Sequence, residues 1–528
     1  MFVPVTPLEF RRRAERLFGP KTGVIDGEKR FTYGQFGERS RRLAGALRDL
    51  GIRPGDVVSF LTYNTHHLLE AYYGVLQAGA VLNPVNIRLQ PAEIAYILNH
   101  AESRALFFHR DFTPVVEAVR GATETLRELV ALEPDGPPPF GAREYEALLR
   151  ASLPQDADPE VDENSVAELF YTSGTTGRPK GVALTHRSLY LHALYAAIAK
   201  KTTDATVHLH VVPMFHVNGW GAPHTVTATG GTHVLLRKID PLEILRLIEK
   251  ERVTSVYGVP AIYNALVHHP QVGAFDLRSL RLIISGGAPP STVLIRAIEE
   301  KLGCPAIVGY GLTETSPLLT LAAPKAHLGG EPAEKQLERR TRTGHPVLGV
   351  EIRVVDAQGR DVPADGATTG EIIARSNVVM DGYFRDPRAT AEAVRDGWFH
   401  TGDIATVDAE GSVDIVDRQK DIIISGGENI SSVEVENTLV AHPAVYECAV
   451  LAVPDAQWGE VPKALVVLKP GTTATADELI EFCRARLAHF KVPKSVEFPG
   501  TLPKSGTGKI LKATLREKYW AGHEKRVH

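Results

Sequence analysis

Eleven residues, Tyr171 to Gly181, read YTSGTTGRPKG and combine three glycines, a run of hydroxyls and two cations. That is the composition of a phosphate cradle. Glycines let backbone N–H groups converge, and Ser173, Thr175, Thr176, Arg178 and Lys180 add donors. The loop is not of the Walker type, which needs G-x-x-x-x-G-K-S/T, because the fifth residue after Gly174 is Pro179. A Walker loop also runs straight into a helix, whereas VAELFY before this loop and VALT after it both pattern as strands. Four further segments have the residue types for nucleotide chemistry. GYGLTE, Gly309 to Glu314, nearly matches G-x-G-x-x-G, but a carboxylate replaces the last glycine. Glu314 would repel a pyrophosphate unless Mg²⁺ sits between the two charges. Thr313 offers a hydroxyl beside it, and Tyr310 an aromatic face for a base. SGGAP, Ser285 to Pro289, lets a flat ligand approach the backbone at Gly286 and Gly287. WFHTGD places Asp403 after a glycine at a strand end, where an acidic side chain can accept both ribose hydroxyls. LPKSGTGKI puts Lys509 in a Gly/Ser/Thr loop near the end of the chain. Each segment taken alone also reads as an ordinary turn.

The elements that must position these loops alternate between strand and helix. DVVSFLTYN, THVLLRK, VTSVYGVP, LRLIISGGAP and AIVGYGLTE pattern as strands ending in turn residues. PLEILRLIEKERV has Pro241 near its first turn and Ile244, Leu245 and Ile248 on one face, and Thr185 caps a helix. Ligands of such α/β units bind at strand ends. After about residue 343 the pattern becomes β-rich, and a last α/β piece follows. Its helix ADELIEFCRARLAHF is expected to turn Leu479, Phe482, Cys483 and Leu487 inward. Residues 133–141 read as a surface loop and 327–344 as a mobile connection. His208, His210 and His216 would share one strand face, but without carboxylate or thiolate partners they read as buried or cleft-lining rather than as metal ligands.

Composition narrows the function further. A chain of 528 residues implies several compact units. Its net charge of −4 provides no basic field for nucleic acid. Cys304, Cys448 and Cys483 are far apart, which fits a reducing cytoplasm better than a disulfide framework. No run approaches the 18 or so apolar residues of a membrane span, and the N-terminus reads as a short amphipathic helix after Pro7. No G-x-S-x-G elbow supports a hydrolase.

In this order, YTSGTTGRPKG, SGGAP, GYGLTET, WFHTGD, DRQKDIIISGGENI and PKSGTGK resemble the successive motifs of the adenylate-forming superfamily over nearly the whole chain. That family includes acyl-CoA synthetases, peptide-synthetase adenylation domains and beetle luciferases. The resemblance implies an α/β (α+β multidomain) fold: a large N-terminal domain, 1–417, of α/β subdomains plus a β-barrel-like one, and a small mobile α+β domain, 418–528. The hinge falls at 417–421, where the composition also shifts. It further implies ATP, Mg²⁺ and coenzyme A as the reagents. Thr172, Ser173, Gly174, Thr175, Thr176, Gly177 and Lys180 would hold the β- and γ-phosphates. Thr313 and Glu314 would serve the α-phosphate and Mg²⁺, with Thr175 a weaker metal contact. Tyr310 with Gly286, Gly287, Ala288 and Pro289 would enclose adenine, and Asp403 and Arg418 would hold the ribose. Lys509 would bridge the attacking carboxylate and the α-phosphate. The small domain would rotate near Lys420, bringing Gly426, Gly427 and Glu428 to the pantetheine tunnel.

The acyl pocket of relatives is lined by the segment matching PMFHVNGW, here His216, Val217, Asn218 and Trp220, with Gly309 and Gly311 beside it; His216 also counts among the catalytic candidates. No carboxylate stands there to anchor an amino group, which disfavours an amino acid. The segment is most similar to fatty-acid synthetases, in which an aromatic at the Trp220 position can gate the acyl tunnel. A medium- to long-chain fatty acid is the expected substrate, with a short, branched, sulfur-containing or aryl acid as the alternative. A luciferase-like oxidase would differ in lacking CoA-dependent release of AMP, and a non-catalytic nucleotide binder would have little use for Lys509. Relatives are often homodimers, but no self-complementary surface is legible.

Overall fold

Thr185 ends one strand and starts the next helix. Its hydroxyl accepts from the Ser188 N–H at 3.0 Å, and the Ser188 hydroxyl accepts from the Thr185 N–H at 3.1 Å. This reciprocal cap satisfies two donors that a helix start leaves free. Asp240 caps helix Pro241–Lys250 from one side, accepting from the Glu243 N–H at 2.8 Å, and that helix buries Ile244, Leu245 and Ile248 as its periodicity requires. Such strand-to-helix junctions recur through a computed structural model that describes residues 2–157, 159–172, 178–426, 428–455, 457–504 and 510–520.

Among the described residues two large sheets dominate the first 345 or so positions. In the nine-stranded sheet, strands Thr22–Asp26, Thr232–Leu235, Val207–His210, Ser255–Gly258, Leu282–Gly286 and Ala306–Gly311 run parallel. SGGAP and GYGLTE therefore both leave the carboxyl ends of neighbouring parallel strands, where α/β folds place ligands. In the eight-stranded sheet, Val166–Thr172 and Lys180–Thr185 form the antiparallel hairpin expected around the glycine-rich loop. The short strand Gly382–Tyr383 extends that sheet by pairing with Val182 and Ala183.

The β-rich region forms a third sheet, in which Trp398–Val407 pairs with Gly370–Ser376, Val394–Arg395 and Val413–Arg418, and Val350–Val355 completes the edge. Among the described residues its strands pair as an antiparallel ladder, β-rich as expected. The last piece is a five-stranded sheet around Val445–Asp455 and Gly459–Leu468, with its own core of Ile423, Val435, Leu439, Val450, Leu479 and Cys483. Two hydrogen bonds join it to the third sheet: Ser431 Oγ donates to the Val416 carbonyl at 2.6 Å, and the Ser432 N–H donates to Asp417 Oδ2 at 2.7 Å.

Three expectations need correction. Residues 327–344 contain a helix, Ala333–Thr341, pinned by buried Leu337 and by Arg340 on Glu299 at 3.0 and 3.1 Å. The helix Ala476–Arg484 stops short of Leu487. Leu487 still packs on the core, but Phe482 lies half-buried under the Arg486 guanidinium, 3.6 Å from its ring centre. His208 and His210 are buried on one strand, whereas His216 lies beyond that strand's end. No described helix is long and apolar enough to cross a membrane.

Candidate active site

The third sheet carries an acidic group toward the nucleotide-binding strands. Asp403 lies opposite Arg418 across the ladder, and Arg418 Nε is 3.1 Å from Asp403 Oδ1. The other oxygen, Oδ2, accepts from the Tyr310 hydroxyl at 2.7 Å. Residues of three motifs, one of them 93 positions away from Asp403, thus meet at one carboxylate. Asp403 is only 3 % exposed, yet each of its oxygens keeps a second lone pair for a ribose hydroxyl. Burial, and then the Asp403 charge, push the Tyr310 phenol well above its ordinary range, so it remains a donor. Burial alone would lower the Arg418 guanidinium, but Asp403 and Tyr310 outweigh it and hold it charged.

A second cluster assembles around Glu314, in the turn Thr313–Thr315. Glu314 Oε1 accepts from the Tyr383 hydroxyl at 2.8 Å, and Lys180 Nζ sits 4.8 Å from the centre of the Tyr383 ring. Burial first and Glu314 second raise the Tyr383 pKa, so this hydroxyl is also a permanent donor. The short strand Gly382–Tyr383 supplies the link between Lys180 and Glu314, and no motif in the sequence pointed to Tyr383. Thr313 is buried beside Glu314. Thr172 faces Lys180 in the hairpin register, and Arg178 lies over the Tyr96 ring at 5.7 Å. Ser173, Gly174, Thr175, Thr176 and Gly177 lie outside the described residues, as do Gly427 and Lys509.

The wall between these clusters is made by glycines whose role is partly steric. A Cβ on Gly286 would stand 2.6 Å from the Gly309 carbonyl oxygen and 3.1 Å from the Trp220 ring, and one on Gly311 would stand 1.6 Å from the Pro317 carbonyl oxygen. Gly309 is likewise close-packed, 3.0 Å from Ile284 Cγ2. Gly309 and Gly311 are therefore required by sheet packing, whatever else they touch. Gly287 is exposed beyond the strand end, next to half-buried Ala288 and exposed Pro289. Lys420 is exposed in the turn after Arg418, and Gly426 packs under Trp458, with exposed Glu428 two residues on.

The acyl-pocket candidates divide. Val217, Asn218, Gly219 and Trp220 have φ of +34°, +40°, +52° and +58°. A left-handed run through a β-branched residue is costly and is characteristic of functional sites. Trp220 packs with Val212, Tyr257, Ile284 and Val308. Asn218, in contrast, is fully buried: its amide donates to Glu168 Oε2 at 3.3 Å and its carbonyl caps the Gly221 N–H at 2.7 Å. Glu168 is in turn 2.6 Å from His224 Nε2. Asn218 and Val217 hold the turn, while half-buried His216 and Trp220 flank it. Lys200 was not legible as part of this region. It is buried and donates from Nζ to the Trp220 carbonyl at 3.2 Å, while lying 4.3 Å from the Tyr257 ring centre. Burial lowers its pKa to about 7.

Residues 10–384 match the AMP-binding enzyme family and residues 434–509 the AMP-binding enzyme C-terminal domain. The chain belongs to the AMP-binding enzymes. Among curated members of this group, it is 42 % identical to a long-chain-fatty-acid–CoA ligase of Thermus thermophilus, over 97 % of this chain and 95 % of that one. It is 38 % identical to 4-hydroxybutyrate–CoA ligase 2 of Metallosphaera sedula, over 97 % and 94 % of the two chains. An anthranilate CoA ligase in complex with anthranoyl-AMP superposes with a TM-score of 0.92 at 28 % identity, covering 99 % of this chain and 98 % of that one. This AMP-binding enzyme is an AMP-forming acyl-CoA ligase, with ATP and CoA as its co-substrates.

Proposed function

We propose that this AMP-binding enzyme activates a medium- to long-chain fatty acid. The observation that supports this substrate is the apolar cluster of Val212, Tyr257, Ile284, Ile307 and Val308 around Trp220, together with the absence of a carboxylate among the candidate pocket residues His216, Val217, Asn218 and Trp220. An alkyl chain gains about 0.8 kcal/mol for each methylene such a surface removes from water. The runner-up is a short, branched, sulfur-containing or aryl acid, and the similarity to a 4-hydroxybutyrate ligase keeps it in view.

In the first half-reaction the carboxylate oxygen attacks the α-phosphorus of ATP and pyrophosphate leaves. The protein positions and neutralises charge and supplies no nucleophile. Asp403, steadied by Tyr310 and Arg418, takes the ribose. Lys180 and the loop 172–177 take the β- and γ-phosphates. Glu314, oriented by Tyr383, would hold Mg²⁺ near the α-phosphate with Thr313 beside it, and Thr175 is the weaker candidate for the same ion. The acidic oxygen set fits a hard cation, which would neutralise phosphate charge when bound. Lys509 bridges the attacking oxygen and the α-phosphate. In the second half-reaction the CoA sulfur attacks the acyl carbon, its proton is lost and AMP leaves. On our reading the chain divides into 1–417 and 418–528, and the second part turns about 417–421 between the two half-reactions. Gly426, Gly427 and Glu428 then line the pantetheine path.

A pyrophosphate-release screen over straight-chain acids of graded length, with and without CoA, tests the substrate. Turnover is expected to peak at medium to long chains and to give AMP only with CoA. A peak at acetate, at butyrate or at an aryl acid would replace the fatty-acid reading. Glu314→Gln should shift the magnesium dependence of pyrophosphate release to concentrations about tenfold higher or more, since a charged ligand is lost. An unchanged magnesium titration would remove Glu314 from the metal.

A further inference from the structure

Remote in sequence from the nucleotide motifs, two histidines open the helix His66–Gln77, and both are fully buried. Their rings lie side by side, with centroids 3.8 Å apart. His66 Nδ1 is 2.6 Å from Asp26 Oδ2, and the same carboxylate accepts from Arg237 at 3.1 and 3.2 Å. A carboxylate so engaged is an acceptor, so His66 Nδ1 carries a proton and Nε2 is the ring atom left to take another partner. That Nε2 has no hydrogen-bond partner, and neither does either ring nitrogen of His67. Buried polar atoms are rarely left so.

A carboxylate faces them. Glu133 follows strand Glu128–Leu132 with φ of +50°, a conformation a glutamate seldom adopts. It is held there by Arg237, at 2.6 and 3.0 Å, and by Lys29, at 2.8 Å. These donors take both acceptor sites of Oε1 and one of Oε2, leaving the second site of Oε2 for another partner, and ligand atoms of His66, His67 and Glu133 lie within 4.8 Å of one another. Glu146 Oε1 is 3.9 Å from Nε2 of both histidines. His109 belongs to the surroundings and not to the set. Its Nδ1 accepts from the Asp111 N–H at 3.2 Å, so its Nε2 carries the proton that points at Glu133 from 3.6 Å.

We propose that His66, His67 and Glu133 bind a divalent transition-metal ion, Zn²⁺ by preference, with Glu146 or water as the fourth ligand. Two imidazoles and a carboxylate suit zinc and not the oxygen-seeking Mg²⁺ or Ca²⁺. The Asp26–His66 hydrogen bond is the outer contact that orients a metal-bound histidine and fixes its tautomer. Zinc ligands stand about 3–3.5 Å apart at ordinary bond lengths, so the set closes by roughly an ångström. A cleft of about 410 Å³, lined by Phe31, Arg39, Glu146 and Arg150 among others, opens beside Glu146 and offers a way in. Asp26 ends a strand of the nine-stranded sheet, whereas Glu133, His66 and His67 hang from the eight-stranded sheet. The ion would tie together loops of the eight-stranded sheet, and the Asp26–His66 hydrogen bond would carry that order to the nine-stranded sheet, with no part in the chemistry.

The test uses the full chain without a histidine tag, in excess Mg²⁺ to occupy oxygen-rich sites. Zinc content after dialysis is expected to be one ion per chain, to fall at least tenfold in His67→Gln and in Glu133→Gln, and to stay at one in His109→Gln. Chelation should lower the unfolding midpoint of the wild-type chain by about 3–8 °C and leave that of His67→Gln unchanged. Cobalt loading of the wild-type chain gives a reading that does not depend on how the variants fold: one equivalent should produce the visible absorption of a four-coordinate site. No retained zinc, an equal content in wild type and both ligand variants, or no cobalt band at one equivalent would each overturn the proposal.

Discussion

Lys509→Ala is expected to lose acyl-adenylate formation by roughly 10²–10³-fold, the cost of removing a group aimed at developing charge, and to keep thioester formation from supplied acyl-AMP. The physical reason is the crowding of like charge in the first half-reaction. A carboxylate approaches a triphosphate, and negative charge gathers on the oxygens between them as the bond forms. A lysine there is worth most at the transition state, when that charge is closest. Once acyl-AMP exists, the incoming nucleophile is a thiol and the departing phosphate no longer needs the same cation. ATP–pyrophosphate exchange measures the first step, and CoA-dependent consumption of acyl-AMP measures the second. Full exchange in the variant would sink the assignment of Lys509, and equal loss of both steps would make its role structural.

The second large effect is on stability. Lys200→Met should stabilise the chain by on the order of 3 kcal/mol at pH 6–7, and the gain should shrink to under about 1 kcal/mol by pH 10. Lys200 is buried, with the Trp220 carbonyl and the Tyr257 ring as its polar contacts and no carboxylate pairing with it among the described residues. Burial lowers its pKa to about 7 from an ordinary value of 10.5. Between those two values the unfolded chain binds a proton that the folded chain has released, so wild-type stability rises with pH across that window. Below about 7 both states are charged and the full cost of a buried ammonium is present. The variant lacks this dependence. Urea unfolding of both chains at pH 6, 8 and 10 checks it, and a difference that stays constant with pH would refute the account. The same variant deprives the Trp220 carbonyl of its donor, so the KM for the acid should rise more than kcat falls.

How much of this was legible before the coordinates depended on how far apart the partners lie in the chain. The strand-to-strand loop at 171–181, the cap at Thr185 and the buried face of Pro241–Lys250 are local patterns, and they stand as read. Asp403, Tyr310 and Arg418 were assigned one nucleotide by motif, and the structure brings them into one hydrogen-bonded group. Tyr383 escaped notice because its meaning lies in a two-residue strand pairing with Val182, some two hundred residues away. The hold on Asn218 was hidden for a related reason. Its partner Glu168 lies 50 residues earlier, so the segment alone could not show it. Lys200 carried no signal, since a lysine in the last turn of a helix is ordinarily exposed. The helix within 327–344 was obscured by glycines and charges that suggest a linker, although its arginines have acidic partners in neighbouring elements.

The two hydrogen bonds from Ser431 and Ser432 back to Val416 and Asp417 span the proposed boundary between the large and small parts. Rotation about 417–421 would have to break or carry them. They then act as part of a detent: the small part rests in one seat, and these two hydrogen bonds add about 1–3 kcal/mol to leaving it. A cost of that size retards a swing by about 5- to 150-fold without forbidding it. The pace of the catalytic cycle would therefore be tuned at two serines that never meet the substrate.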